Sequence, residues 1–546
     1  MMKKETKIVG LLVAACFVTA CYDDKGNYDY VALNEISVDT VGISTTYTLE
    51  QYDSLHIVPE LCFTQGPIPE EKLAYKWVIY TDNFSNSESD MEVLSTEKEL
   101  HMQVTQQSKT ENYAIMYYIT NLEDNTVWQQ KYTLIVQPSV VSGIVALHTL
   151  NGQSDIDYIA TTNAVPGVVE NKWLKNILYS TVERKLSGNP VSVSTVRQSG
   201  QTGSSVNAVY VATDEEFVKL SGKDFSWVCD VNELFYQRPD VLKPYRVLRD
   251  GQIAHTTVLI NDDDVHNINN QSSQYWNNTF SDALRAESSL GEVSVAPFIY
   301  MPDSYWTPNL AVFYDTKGKR FVRLPSSFNE TAKLAPFVTQ ISTAFDVNNI
   351  GKDLIWFGIG YNAHGFALMT DYTLYRANFN TDEFILNPDG SSEINEDIND
   401  LAVRIYDLSG EPEIQNAKFF DCGEFATLFM YATERDIYVT SIRSTTLRTV
   451  KINNDFPADE KITALMIYNQ NVNQMSELAS VTGNYLYVAT WNGTEGKIYE
   501  FAIARNTCEM NNTQGEDKKA PLNVFTGMGK VVDMAVKVQG WGDDAQ

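Results

Sequence analysis

Six hairpins of one design recur along the last three quarters of the chain, and they limit the fold more than any other feature. Each pairs an apolar strand, a polar turn and a second strand carrying aromatics. Ala208-Val209-Tyr210-Val211-Ala212-Thr213 leads to Phe217-Val218-Lys219-Leu220, and Tyr485-Leu486-Tyr487-Val488-Ala489-Thr490 leads to Lys497-Ile498-Tyr499-Glu500-Phe501. Hairpins of this kind begin near 144, 208, 310, 366, 428 and 485. Ile253 to Ile260 supplies a candidate strand inside the one long gap. A single four-stranded unit cannot cover its own apolar faces, whereas units packed side by side in a ring cover both. The spacing predicts a β-propeller of six to eight blades, about seven, over residues 139–546. Val531 to Val538 is the candidate strand that closes the ring on the first blade. Two further sandwiches are the alternative.

The preceding segment, 33–138, also reads as all-β. Ile36 to Thr40, Leu55 to Pro59, Ala74 to Tyr80, Glu99 to Val104, Tyr113 to Asn121 and Val127 to Val136 are short runs of β-branched and aromatic residues between polar turns. Six or seven such strands in about 100 residues predict an Ig-like sandwich. Trp77, in the third run, is expected in its core. Helical periodicity is weak throughout; Trp173 to Leu186 is a short helix or a loop.

Residues 1–20 read as a targeting segment. Lys3, Lys4 and Lys7 precede an apolar run from Ile8 to Thr19, which closes on Val18-Thr19-Ala20-Cys21. The run is too short for a permanent membrane span. Small residues before a cysteine form a lipobox, so Cys21 is expected to be acylated and to begin the mature chain. Residues 21–32, polar and without period, read as a tether. Cys21-Tyr22-Asp23-Asp24-Lys25-Gly26-Asn27-Tyr28-Asp29-Tyr30 closely resembles the mature start of the PKD-like family lipoproteins of Bacteroidota. That resemblance implies a PKD-like sandwich and an outer-membrane address facing the cell exterior. It also implies association with a TonB-dependent transporter and its lid lipoprotein, which import oligomeric nutrients. It carries no catalytic residues.

The formal net charge is −29, and Lys3, Lys4, Lys7 and Glu5 leave with the targeting segment, so the mature chain is near −31. Such a field disfavours nucleic acid and anionic lipid. Cys62, Cys229, Cys422 and Cys508 form no C-x-x-C pair, and free buried thiols are the expectation.

Catalytic signatures are missing: neither G-x-S-x-G nor H-E-x-x-H occurs. Of the six histidines, none sits at ligand spacing from another along the sequence. No metal is therefore expected. Asp262, Asp263 and Asp264 are a weak Ca²⁺ candidate, more simply read as a solvated acidic loop. Two Tyr-Trp pairs stand among turn-forming residues, Tyr275-Trp276 and Tyr305-Trp306, and Trp491 sits at a hairpin turn. Flat aromatics beside Asn and Asp suit the C–H face and hydroxyls of a sugar, or a peptide, and propeller function concentrates on loops. The chain thus reads as a non-catalytic surface lipoprotein that captures or presents a glycan or oligopeptide. A polysaccharide lyase or hydrolase on the same fold, or a protein-only scaffold, is the alternative.

Overall fold

A computed structural model describes residues 33–538 apart from 42, 51–52, 83–90, 107–111, 138–141, 167, 169, 197–206, 250–255, 270–278, 302–308, 326–331, 339–343, 382–383, 387–391, 395–400, 445, 453–455, 470–479 and 512–517. The chain divides into two compact units, Met1–Gln137 and Pro138–Gln546.

The first unit is a β-sandwich. One layer is a five-stranded sheet in the order Thr46–Glu50, Val127–Gln137, Tyr113–Asn121, Leu73–Thr81, Glu92–Ser95. The other is made of two ladders, Ile36–Asp39 with Glu60–Phe63 and Ser54–Ile57 with Leu100–Gln103. Trp77, Ile115, Tyr117, Tyr132 and Leu134 from the sheet meet Ile36, Leu55, Ile57 and Leu100 from the ladders in one core. The Trp77 ring stacks on Tyr117 with centroids 4.1 Å apart, and its Nε1 donates to the Glu97 carbonyl at 3.0 Å. Thr46–Glu50, Glu60–Phe63 and Glu92–Ser95 are additions to the predicted strands. They contain no fully buried residue, so the apolar alternation that marks the others is faint in them.

One pairing here corrects an expectation. The register of the second ladder sets His56 directly opposite His101. Two histidines remote in sequence are therefore neighbours, because strand pairing outside hairpins cannot be read from spacing.

The second unit is a β-propeller; among its described residues seven blade sheets follow one another, and a two-stranded ladder, Phe384–Leu386 with Ser392–Ile394, is inserted before the last strand of blade five. Blades two, five, six and seven each have four strands in chain order: Pro190–Val196 to Trp227–Asp230, Leu354–Ile359 to Ala402–Asp407, Phe419–Cys422 to Arg448–Ile452, and Lys461–Ile467 to Asn523–Met528. Blade three has Pro244–Arg249, Thr256–Asn261 and Asp264–Asn269. Blade four centres on Asn309–Asp315 and Arg320–Pro325, flanked by single bridges from Tyr300 and Ala335. Blade one is composite. Gly143–Leu150, Gln153–Ala160 and Lys172–Leu174 come from the start of the unit, and Lys530–Lys537 pairs antiparallel with Gly143–Leu150 on the inner side. The expected closing strand is thus present.

Why the second strand of each blade is a continuous apolar run is clear from where its two faces go. In Ala208–Thr213, Val209 and Val211 pack towards blade one, while Ala208, Tyr210 and Ala212 pack towards blade three. In Leu428–Ala432, Phe429 and Tyr431 face blade five, and Leu428, Met430 and Ala432 face blade seven. Alternation survives, but both faces are dry, as in strands buried on two sides. Apolar clusters fill every junction from blade two to blade seven, and the largest joins blade seven to blades one and two. The ring is closed by side chains as well as by backbone.

Buried polar groups sit inside blades with their partners. Glu460 is 2% exposed and accepts from Thr490 Oγ1 at 2.6 Å, Lys497 Nζ at 2.6 Å and Tyr499 OH at 2.9 Å. Burial pushes its carboxyl up, but the hydrogen bonds from Lys497, Thr490 and Tyr499 outweigh this and hold it below the usual range. A lowered carboxyl pKa stabilises the fold above the unfolded value, about 4.3, and that stabilisation is lost as pH falls through the folded value. Glu460→Gln is therefore expected to lower the propeller's Tm at pH 7 and to flatten its decline between about pH 5 and 3. Calorimetry across that range checks it; an unchanged acid limb would refute the assignment.

Candidate functional site

The innermost strands converge on an axial cavity of about 450 Å³. Every blade contributes: Met534 from blade one, Val196 from two, Leu248 from three, Phe298 from four, Trp356 from five, Asp421 from six and Met466 from seven. A volume of this order matches sites for one small ligand or the end of a longer one, roughly 300–1,000 Å³. Most of the wall is apolar. Phe298 and Trp356 are only partly buried, so part of each ring faces the opening.

Three charged residues interrupt the wall: Asp421, Arg246 and Lys537, the last of them buried on the closing strand. Asp421 Oδ1 accepts from its neighbour's amide, Cys422 N, at 2.8 Å, and Oδ2 accepts from Ile467 N of blade seven at 2.8 Å. Burial pushes its carboxyl up to about 6, and these two amides offset that only in part. Arg246 Nη1 lies 3.3 Å from Asp533 Oδ2 and donates to the Val193 carbonyl at 3.3 Å, while Val193 N donates to Asp533 at 2.9 Å. That network ties blades one, two and three together at the rim. Chemically, the cavity offers an apolar surface, one carboxyl group whose pKa burial raises, one guanidinium and one ammonium group.

None of the cavity residues was singled out from the sequence as a site residue, although Ala208 and the strand Val531 to Val538 were expected as structural elements. They come from short segments of all seven blades, and only the closed ring assembles them. The expected residues fall elsewhere. Cys21, Tyr275, Trp276, Tyr305 and Trp306 lie outside the described residues. Trp491 ends the strand Tyr485–Trp491, opposite Lys461 and Gly496, and is not among the cavity-lining side chains.

Asp262 and Asp263, with φ of 51° and 75°, form the two-residue turn of the blade-three hairpin. Asp262 pairs with Lys243 Nζ at 2.7 Å, and Asp263 accepts from Ser294 Oγ at 3.1 Å. Asp264 is a strand residue opposite Asn261. The three carboxylates serve the turn and its neighbours. Among the described residues, Cys62, Cys229, Cys422 and Cys508 are free thiols, with Cys422 and Cys508 buried.

Comparison with known proteins places this geometry among weakly similar structures. A quinonprotein alcohol dehydrogenase-like protein from Bacteroides thetaiotaomicron is 11% identical, covering 93% of this chain and 100% of its own, with a TM-score of 0.42. A protein from Lactobacillus plantarum is 10% identical over 72% of this chain and 99% of its own, at 0.40. PorZ, a surface component of the type-IX secretion system of Porphyromonas gingivalis, is 11% identical over 69% of this chain and 39% of its own, at 0.32. No curated protein matches. Residues 21–190, which hold the sandwich and the start of the propeller, match the PKD-like family.

Proposed function

We propose that the protein is a surface lipoprotein, anchored in the outer membrane through acylated Cys21, whose propeller binds part of an oligomeric nutrient in its axial cavity. The sandwich serves as the spacer, and the ligand is a glycan or oligopeptide passed to a TonB-dependent transporter with its lid lipoprotein. The observation that carries the binding role is the cavity itself. Seven blades contribute an apolar wall holding Phe298 and Trp356, with Asp421 and Arg246 as the orienting polar groups. The anchor rests on the lipobox ending at Cys21 and the PKD-like match that begins there.

Two measurements test the reading. Labelled palmitate is expected to enter the wild-type protein in cells and not Cys21→Ala, and external protease is expected to cleave it on intact cells. Arrays of glycans and oligopeptides then identify a ligand for the purified chain. Phe298→Ala should weaken that ligand by about 1 kcal/mol or more, as loss of an aromatic contact does. Trp276→Ala and Trp306→Ala report whether the loop aromatics add to the same site. Absence of label would remove the anchor, and affinity unchanged in Phe298→Ala would remove the cavity as the binding place.

A further inference from the structure

We infer that the sandwich carries a zinc-class metal site formed by His56, Glu99 and His101, independent of the function proposed for the propeller. The argument begins with the pleat. Successive strand residues point to opposite faces. Leu55, Ile57 and Leu100 are 2%, 1% and 0% exposed and face the core. His56 lies between the first two, and Glu99 and His101 flank the third, so all three point outwards. Register does the rest: His56 stands directly across from His101, and Glu99 is the next outward residue along the same run.

The resulting geometry, two long hydrogen bonds to one carboxylate oxygen, also suits a metal. Nε2 of His56 is 3.4 Å and Nε2 of His101 is 3.3 Å from the same oxygen, Oε2 of Glu99. All three ligand atoms lie within 4.8 Å of one another. Tetrahedral coordination with bonds of about 2.0–2.1 Å spaces its ligand atoms roughly 3.3 Å apart, which is the separation of each imidazole nitrogen from the carboxylate oxygen here. The imidazole rings stack with centroids 3.6 Å apart and planes 27° from parallel, and both Nε2 atoms lie beside the same carboxylate oxygen. Two imidazoles and one carboxylate form a donor set for a borderline divalent ion, with Zn²⁺ the best fit. It is also the one such cluster of three among the described residues. The side chains are half exposed, at 50%, 47% and 63% for His56, Glu99 and His101. The remaining coordination positions therefore face solvent, and water or a donor from another molecule completes them.

The test uses the full chain, stripped with EDTA and titrated with ZnCl₂ by calorimetry at pH 7.5. One Zn²⁺ per chain is expected, at micromolar affinity. Co²⁺ should bind competitively and give the visible bands of a four- or five-coordinate nitrogen–oxygen site. His56→Ala, Glu99→Ala and His101→Ala should each weaken Zn²⁺ on the order of tenfold or more. These are exposed positions, where substitution leaves folding intact. Cys62, an exposed thiol, is the competing zinc ligand of the same unit, so Cys62→Ser is measured beside them and should leave binding unchanged. No saturable binding below about 1 mM, binding that persists in His56→Ala and His101→Ala, or loss confined to Cys62→Ser would each overturn the assignment.

Discussion

Truncation after Gly529 is expected to abolish the propeller's cooperative unfolding transition while leaving that of the sandwich in place. The strand removed, Lys530–Lys537, is the inner strand of blade one and pairs with Gly143–Leu150 from Gly143 to Thr149, with one irregularity at Leu147/His148. Val531 and Met534 leave the cluster that joins blades seven, one and two. Asp533 leaves Arg246 without its ion pair and Val193 N without its acceptor. The strand also supplies the Val536 carbonyl that accepts from Thr195 Oγ1 at 2.5 Å. Losing a whole strand ladder, buried apolar side chains and a rim ion pair together is expected to be comparable with the roughly 5–15 kcal/mol that stabilises a typical domain. Calorimetry is therefore expected to show two transitions for the intact chain and one for the truncated chain. Retention of both, with the upper Tm unchanged, would show that the ring does not depend on this strand. Gly529→Val gives a graded version. A Cβ there would sit 2.4 Å from the Thr149 carbonyl oxygen, so the strand could not approach without displacing blade one.

Trp77→Ala is expected to cost the sandwich about 3–5 kcal/mol, the range for a fully buried tryptophan truncated to alanine. Trp77 is 0% exposed, stacks on Tyr117 and lies 5.7 Å from Tyr132 between ring centroids. Both tyrosine hydroxyls are buried without a hydrogen-bond partner, so this core is held by packing rather than by polar contacts. Trp77→Phe retains most of the contact and should recover about half the loss, separating packing from the single hydrogen bond to Glu97. Urea unfolding followed by far-UV circular dichroism measures both. A loss in Trp77→Ala below about 1 kcal/mol would mean that the residue is not central to the core.

The parts of this fold that could be read from sequence are those where burial leaves a local signature. Ala208–Thr213, Gly365–Met369 and Leu428–Ala432 are buried on two faces, so each is an uninterrupted apolar run followed by a turn. Their spacing gave the blade repeat, and Thr256–Asn261 appeared in the gap where a blade was missing. The inner strands were less legible. Pro190–Val196 mixes Ser and Thr with Val because it faces the axial cavity on one side, and blade four begins with single bridges rather than a full strand. The candidate site was hidden for the same reason: Phe298, Trp356, Asp421 and Met466 are unremarkable one by one. His56 and His101 were hidden by register, since Ser54–Ile57 and Leu100–Gln103 are not joined by a hairpin turn whose length would fix the pairing.

Because blade one pairs Gly143–Leu150 with Lys530–Lys537, the ring is incomplete until that late strand is available. During synthesis, or during passage through a narrow translocation pore, six blades and three strands of the seventh sheet can exist only as an open arc with one exposed apolar flank. Such long-range pairing folds slowly. A chaperone that shields the arc is therefore expected to raise the yield of folded protein.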